Sequence, residues 1–434
     1  MSTVHLPVWS ELLLAAADGI TSLPIKESFP HWFAKVASAS LESPQDAVLI
    51  AQRGLQALHF KSTIASPMSD RSSSNLIFEL ASNASSSTSA ATPLRTLVVR
   101  GESPGEPNCE RLVADLKSLL TNKWSAQNVA EPSLLACVDS LIAHPSILNL
   151  KGMDFVVFGA LARDAPTREL LSLGANVYAL DFASNKKREW NSLLDFTRTS
   201  STGVLYLPSL SGEQEDPGCS LIENLCQLSP WILQNVKFQP ILCNFVSADN
   251  GLELMQLVTV VDAIIEHVCT MLPESSVCHW PCADEVLIVE SLSPEKTSIV
   301  EERQVSKAGG VHGTAVRAHT LFGRSSSLRK SYYLRNGINV RVGPEFYMAK
   351  LIQQWRTTVA RQLGTFHWLA DKRRHRVSAN VAPNSNASQK DVIRAMTFFM
   401  IRDLRDPSLA SNPSQGLDNP MLLFRAMFVG GCKL

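Results

Sequence analysis

"FVVFGALARDAPTRELLSLGANVYALDF", residues Phe155 to Phe182, decides the fold of this chain. An apolar run ends at Gly159, an amphipathic stretch follows, and a second apolar run ends at Asp181. Apolar runs of this length suit strands buried on both faces, and the amphipathic stretch between them suits a helix. The stretch therefore predicts two parallel strands joined by a helix.

The same alternation continues beyond this unit. Strands are predicted at "FVVFGA", "NVYALD", "GVLYLPSL", "QPILCNFVSA", "EVLIVESL" and "RVSANVAP". Helices are predicted between them at Ala165–Leu173, Lys186–Thr197, Ser220–Gln234, Leu252–Met271 and Gly343–Gln362. Apolar strands that alternate with helices are typical of a parallel sheet covered on both faces. We therefore predict an α/β fold with a doubly wound, Rossmann-like parallel sheet of six strands.

Residues 1–150 differ from this pattern and form a mostly helical N-terminal region. Helices are predicted near Trp9–Ala17, Gln45–Leu58, Glu110–Leu120 and Pro132–Ala143, with a short strand at "TLVV" and a Ser-rich linker at 82–93. The Rossmann-like domain is expected to cover 151–405. Residues 294–342 are polar and rich in Arg, Ser and Gly, so we interpret them as a long insertion. Residues 406–434 form a C-terminal tail.

The turn after the first strand carries features of a dinucleotide site. In such a site a glycine turn lets the backbone approach the pyrophosphate, and an acid about 20 residues later bonds the ribose hydroxyls. Gly159 and Asp181 have this spacing, but Leu161 and Asp164 occupy positions where glycines are usual. Asp164 as a helix cap would repel a phosphate, which Arg163 could offset. The predicted cofactor-binding residues here are Gly159, Ala160, Leu161, Arg163, Asp181 and Phe182; the alternative is an ordinary strand, turn and helix.

Two later stretches extend this picture. They are "GPEFYMAKLIQQWR" and "RVSANVAPNSNAS". With the opening stretch they resemble the short-chain dehydrogenase/reductase family, which has a glycine turn, a Tyr-x-x-x-Lys helix and a later Asn-x-x-x-Pro-Gly strand end. The resemblance covers roughly Met153 to Ser388. It implies a nicotinamide cofactor, NAD or NADP, with Asn380 and Pro383 contributing to its site.

The resemblance also implies catalytic roles. Tyr347 would be the general acid/base, and Lys350 would lower its pKa and hold the nicotinamide ribose. A phenol with a pKa near 10 needs such a cation to act as a base at neutral pH. Ser291 or Ser293, after the expected fifth strand, would polarise the substrate carbonyl. Tyr347 stands three residues before the lysine, and Phe346 holds the position four before it.

These residues predict an NAD(P)-dependent oxidoreductase that acts on a carbonyl or alcohol. The alternative is a non-catalytic nucleotide-binding or scaffold protein that retains the Rossmann sheet. Asp181 favours NAD, although the basic residues Lys186, Lys187 and Arg188 could accept a 2'-phosphate. No metal site is predicted, because the Cys and His residues of "HVCTMLPESSVCHWPC" lack the paired spacing of zinc ligands.

The composition of the whole chain limits the classes of partner that the protein is expected to bind. Lys and Arg together number 40, as do Asp and Glu, so no global field favours nucleic acid. We expect a soluble protein without a membrane span. The basic, aromatic stretch from His319 to Arg376 is expected to be a solvated, partly disordered insertion; the alternative is that it binds a lipid- or CoA-linked small-molecule substrate. A homo-oligomer is left open.

The C-terminal residues Cys432-Lys433-Leu434 resemble the Ser-Lys-Leu peroxisomal address. Such a tripeptide is read by the import receptor, and the two glycines before it favour an accessible tail. A peroxisome or a related microbody is therefore the predicted location, with the cytoplasm as the alternative.

Overall fold

A computed structural model describes residues 3–23, 28–65, 74–75, 94–102, 105–119, 121–122, 132–181, 186–209, 217–237, 239–281, 285–291, 316–321, 330–336, 338, 340–366, 377–378 and 389–405. Its helices are α1 Trp9–Ala17, α2 Phe29–Glu42, α3 Pro44–Lys61, α4 Cys109–Leu119, α5 Pro132–Ala143, α6 Thr167–Ser172, α7 Lys187–Ser200, α8 Leu225–Asn235, α9 Gly251–Met271, α10 Pro344–Phe366 and α11 Gln389–Arg405. Its strands are β1 Thr3–His5, β2 Thr63–Ala65, β3 Ser74–Asn75, β4 Arg95–Arg100, β5 Asp154–Phe158, β6 Asn176–Leu180, β7 Val204–Ser209, β8 Ile241–Asn244, β9 Ser276–Cys278, β10 Val286–Ser291, β11 Val316–Leu321, β12 Lys330–Asn336 and β13 Val377–Ser378.

The main sheet has seven strands in the order β13-β9-β8-β5-β6-β7-β4. Every neighbouring pair from β13 to β7 is parallel, and only β4 runs antiparallel, against β7. The opening unit lies at the centre, with Asp154 in register with Asn176 and Phe158 with Leu180. The predicted α/β class, with a mostly parallel sheet, is therefore confirmed.

Both faces of this sheet are covered by helices. Successive side chains of a strand point to opposite faces, so the fully buried β5 serves two cores at once. Val156 and Phe158 pack in a core with α1, α2, α3, α8, α9 and α10. Phe155 and Val157 pack in a second core with α4, α5, α6, α7 and α11. The continuous apolar runs in the sequence follow from this double burial.

The fifth parallel strand is not the one predicted. The run "EVLIVESL" forms β10, which pairs with β12 in a separate antiparallel sheet ordered β10-β12-β11. The position beside β8 is taken by β9, only three residues long, which pairs with both β8 and β13. Parts of the predicted insertion 294–342 therefore belong to an antiparallel sheet together with β10.

The N-terminal region is tied closely to the main sheet. Its strand β4 forms the antiparallel edge, from Arg95 beside Ser209 to Arg100 beside Val204. Helix α3 packs against α10, where the ring of Trp355 lies so close to Gly54 that a Cβ there would approach it to 2.3 Å. Helix α2 was not predicted, although it buries Trp32 and Phe33. Helices α1, α2 and α3 therefore cover one face of the α/β unit, and α4 and α5 pack on the other.

Helix α9 is the most apolar long helix of the described residues. By length and composition it could cross a membrane, but 72% of its apolar window is buried inside the fold. Its N-terminus is capped by Asn250, whose side chain accepts the backbone N–H of Glu253 at 2.9 Å. In this structure it packs as a core helix between α3, α8 and α10.

Candidate functional site

The turn after β5 closes tightly around Gly159. Gly159 has φ +74°, a conformation that favours glycine. Its N–H donates to the carbonyl of Leu180 at 2.8 Å, and its own carbonyl accepts the N–H of Ala162 at 2.9 Å. A Cβ at this position would lie 2.5 Å from the carbonyl oxygen of Phe245 and 2.6 Å from the Cα of Val246. The glycine thus allows the backbone after β8 to pack directly on the turn.

Asp181 reaches the same turn from the end of β6. Its Oδ2 accepts the backbone N–H of Leu161 at 2.9 Å, and its Oδ1 lies 2.8 Å from the ammonium of Lys186. The side chain is only 3% exposed. The structure therefore brings the predicted acid and the predicted turn together, but the carboxylate already has protein partners.

Helix α6 begins later than predicted, at Thr167 instead of Ala165. Two successive turns precede the helix. The N–H of Ala162 donates to the carbonyl of Gly159, and the N–H of Ala165 donates to the carbonyl of Ala162. Its N-cap residue is Pro166, which provides no side-chain cap. The prediction that Asp164 caps this helix is therefore wrong.

Asp164 and Arg163 are both exposed on the outside of the turn. The turn is instead fixed from inside by Thr167, whose hydroxyl donates to the carbonyl of Ala160 at 2.6 Å. The hydrogen bond that fixes the turn on its buried side therefore comes from Thr167 and not from Arg163 or Asp164.

Tyr347 and Lys350 lie one turn apart near the start of α10. Tyr347 is 2% exposed, and its ring stacks on Phe29 of α2 with centroids 6.2 Å apart. It also meets Phe33 edge-on at 6.3 Å. The ammonium of Lys350 lies 5.9 Å from the ring centroid of Phe346. The tyrosine is thus part of an aromatic cluster between α2 and α10.

Both residues line one small cavity of about 30 Å³. Its other polar wall is formed by Glu285 and Gln354, which are joined by a bond of 2.6 Å from the glutamine amide to the carboxylate. This cavity lies between α2, α10 and the start of β10. The structure therefore brings the predicted pair into a common pocket.

Of the remaining predicted site residues, the structure describes only the backbone position of Ser291. Ser291 ends β10 and pairs with Ser331 in the antiparallel sheet, so it does not follow the fifth parallel strand as predicted. Ser293, Phe182, Asn380 and Pro383 lie outside the described residues. The predicted serine role thus loses its topological basis at Ser291.

Sequence reasoning missed a buried polar group at the carboxyl ends of β8 and β9. The amide nitrogen of Gln353 donates to the carbonyl of Asn244 at 3.4 Å, and the hydroxyl of Thr357 lies 2.9 Å from Nδ1 of His279. Burial, with a contribution from the charge of Lys350, lowers the pKa of His279 to about 3, so its ring is neutral at physiological pH. The group holds α10 over the edge of the sheet. A histidine directly after a strand was its only sequence signal.

A second missed cluster joins α3, α9 and α10. Within the described ranges, one set of His, Cys, Asp and Glu side chains is close enough to share a metal ion: His59, Asp262 and Glu266. Arg356 contacts both acids, with Nη2 at 2.8 Å from Asp262 and 2.6 Å from Glu266. Its guanidinium already supplies the cation, so the residues do not suit a metal.

Burial alone would raise the pKa of Asp262. The guanidinium of Arg356 and the bond from His59, 2.6 Å long, outweigh burial and hold the pKa at about 2. Asp262 is therefore charged at neutral pH, and the cluster is an ion network, buried except at Glu266, that links the N-terminal region to the α/β unit.

Comparisons with known proteins do not assign the chain to a family. No protein-family model, no curated protein and no solved structure matches it. Function must therefore be argued from the side chains and the fold of this chain.

Proposed function

We propose that this chain is a non-catalytic protein that retains a Rossmann-like sheet without dinucleotide-dependent chemistry. The observation that carries the proposal is the bonding of Asp181, whose buried carboxylate accepts from Leu161 and pairs with Lys186. The alternative, an NAD(P)-dependent oxidoreductase, needs that carboxylate for the adenosine ribose.

The topology supports the Rossmann-like part of the proposal. Numbered along the chain, the six parallel strands β5, β6, β7, β8, β9 and β13 lie in the order 3-2-1-4-5-6. This is the order of dinucleotide-binding sheets, and helices cover both faces. The order reverses between β5 and β8, so a nucleotide would be expected beside the carboxyl ends of these two strands.

Two contacts at that place argue against a bound dinucleotide. A ribose hydroxyl would need access to Asp181, and the side chain is 3% exposed. A carboxylate has about four acceptor sites, so Asp181 could still accept further hydrogen bonds beside those from its protein partners. Its burial is therefore what prevents a ligand from reaching it. Beside it, the backbone of Phe245 and Val246 fills the space against Gly159.

The surroundings of Tyr347 also argue against the usual family chemistry. A catalytic phenol must reach both cofactor and substrate. The ring of Tyr347 is enclosed by Phe29, Phe33 and Phe346 and is 2% exposed. We interpret it first as a core residue that docks α2 on α10.

The decisive experiment is calorimetric titration of the full chain with NADH and with NADPH. We expect no saturable heat up to millimolar cofactor. Lys186→Gln removes the ammonium from Asp181, and Lys187→Gln, an exposed neighbour, is the matched control with the same change in charge. Saturable binding by the wild-type chain would show that the site is open, and oxidation of the bound cofactor in the presence of a carbonyl compound would refute the proposal. Binding by Lys186→Gln alone would identify the Asp181–Lys186 pair as what closes the site.

The oxidoreductase remains the second candidate because Tyr347 and Lys350 line one cavity on the helix that follows the fifth parallel strand. The short-chain dehydrogenase/reductase resemblance implies that position for the catalytic pair. If NADH or NADPH binds, the chain should oxidise it in the presence of a panel of carbonyl compounds. Tyr347→Phe should then abolish turnover while cofactor binding persists; an unchanged rate would remove Tyr347 from the mechanism.

A further inference from the structure

A groove between α4 and α11 encloses a volume of about 290 Å³. This is close to the lower end of the volumes of small-molecule sites, about 300 Å³, so a ligand the size of an amino acid can enter. Both helices pack on the face of the sheet that α6 and α7 also cover, opposite α9 and α10. The groove is therefore separate from the small cavity under α10.

Three charged side chains line this groove. Asp115 comes from α4, and Asp391 and Arg394 come from α11, where a spacing of three residues places them on one face of the helix. Asp115 is exposed, and the other two are half-buried. Within the described residues, Asp391 and Arg394 do not form an ion pair with each other. The groove therefore presents two negative charges and one positive charge at separate points.

The rest of the lining is partly apolar. Leu116, which is 1% exposed, and Leu119 contribute apolar surface from α4. Ser118 and Asn122 add neutral polar groups, and the amide of Asn122 donates to the hydroxyl of Ser118 at 3.1 Å. The methylene groups of a flexible ligand can pack on such apolar surface while its charged ends meet the charged side chains.

The charges of the lining select the charges of a ligand. Two aspartates and one arginine leave the lining with a net negative charge, which favours a cationic molecule. Ammonium groups form charge-assisted bonds with carboxylates, and the planar fork of a guanidinium matches a carboxylate with two parallel bonds. A short aliphatic molecule with two ammonium groups and one carboxylate therefore complements the groove in both charge and size.

We infer that this groove binds a free dibasic amino acid of the size of lysine or ornithine. Asp115 and Asp391 bind its ammonium groups, Arg394 binds its carboxylate, and the leucines of α4 contact its methylene groups. The inference goes beyond the proposed function and does not depend on whether a dinucleotide binds.

Isothermal titration calorimetry of the full chain with free L-lysine, at neutral pH and low ionic strength, tests the inference. We expect saturable binding at one site that weakens as salt is added, because exposed charges are screened. L-Norleucine has the same carbon chain without the second ammonium, and cadaverine has both ammonium groups without the carboxylate. Each should bind roughly tenfold more weakly or worse, because each loses a charge-assisted bond. No saturable binding of L-lysine, or equal binding of either analogue, would overturn the inference.

Two variants assign the charges to their side chains. Arg394→Gln should remove the preference for L-lysine over cadaverine, and Asp391→Asn should weaken the binding of L-lysine roughly tenfold or more. Arg111→Gln and Asp139→Asn make the same changes in charge at exposed positions outside the groove and are the matched controls. Unchanged binding by folded Asp391→Asn, or a preference over cadaverine that persists in folded Arg394→Gln, would refute the assignment. If a variant is unfolded by circular dichroism, the comparison of the three ligands on the wild-type chain decides alone.

Discussion

At the scale of single residues, Asp181 serves to hold the turn after β5. The sequence places an acid at the end of the second strand, and in this chain that acid bonds the turn itself through Leu161. Lys186 neutralises it from the other side. A carboxylate with a backbone N–H and an ammonium is a strong charge-assisted arrangement. The residue expected to recognise a ligand thus stabilises the fold.

Asp181→Asn should therefore destabilise the protein. The amide keeps the shape but loses the charge that pairs with Lys186 and bonds Leu161, which costs about 1–3 kcal/mol in the free energy of unfolding. Urea unfolding followed by circular dichroism measures the change. Asp115→Asn, at an exposed position of α4, should change it by no more than about 0.5 kcal/mol. Equal effects of the two substitutions would contradict this role.

A comparison of alanine substitutions at Gly159 and Gly152 separates the cost of a steric clash from the cost of a left-handed backbone. Their φ angles are similar, +74° and +81°, but an added Cβ meets the backbone of Phe245 at Gly159 and nothing within 4 Å at Gly152. Gly152→Ala should cost about 1–2 kcal/mol for the left-handed backbone alone. Gly159→Ala should cost roughly 1–3 kcal/mol more because the contact must move apart. Thermal or urea unfolding of both variants gives the difference, and identical losses would show that the contact at Gly159 yields easily.

At the scale of elements, α10 is the helix that joins the parts of the molecule. It contacts the sheet edge through Gln353 and Thr357, and α9 through Arg356. Arg356 and Asp262 form two bonds, of 2.7 and 2.8 Å, in the interior. His59 adds α3 to the same network. Removing one partner would leave a buried charge without compensation, which is strongly destabilising.

This network should make stability depend on acid pH. The pKa of Asp262 is about 2 in the folded chain and about 3.9 when unfolded. Its contribution, about 2–3 kcal/mol, is complete above pH 3.9 and is lost as the pH falls through 2. The free energy of unfolding, measured by urea between pH 5 and pH 2, should fall less steeply in Asp262→Asn than in the wild-type chain. Parallel slopes would exclude Asp262 as a source of the dependence.

At the scale of the whole molecule, the N-terminal region completes the α/β unit. Strand β4 extends the main sheet beside β7, and α1, α2 and α3 cover one of its faces. The apolar faces of α9 and α10 are buried partly by these helices. The chain from 3 to 405, over its described residues, therefore shares two continuous cores on either side of one sheet.

The predicted C-terminal address would act on the location of the whole molecule. Cys432–Leu434 lie outside the described residues, and the peroxisomal location stays a prediction. A fluorescent protein fused to the N-terminus of the chain should give punctate signal together with a peroxisomal marker. Deleting Cys432–Leu434 should make the signal diffuse, while deleting the same number of residues from a fusion that already lacks the tripeptide should change nothing. Punctate signal after the first deletion would refute the address.

The sequence predicted the positions of helices and strands along the chain better than it predicted which strands pair. Helices Trp9–Ala17 and Pro132–Ala143 have the predicted ends, because their apolar spacing and flanking residues are local signals. The fifth parallel strand was misassigned, since "EVLIVESL" has the stronger strand pattern and β9 has only three residues. Which strand pairs with β8 depends on contacts between distant parts of the chain, and the local sequence pattern does not encode these contacts.

The sequence by itself determined the α/β class and the central unit of β5, α6 and β6, because hydrophobic periodicity is set by neighbours along the chain. Only the tertiary structure decided that Asp181 bonds Leu161, that Arg356 satisfies Asp262, and that Tyr347 stacks on Phe29. Each of these contacts joins residues far apart in sequence. Whether a carboxylate meets an ammonium, a backbone N–H or solvent is fixed by packing, and that packing separates a ligand-binding acid from a structural one.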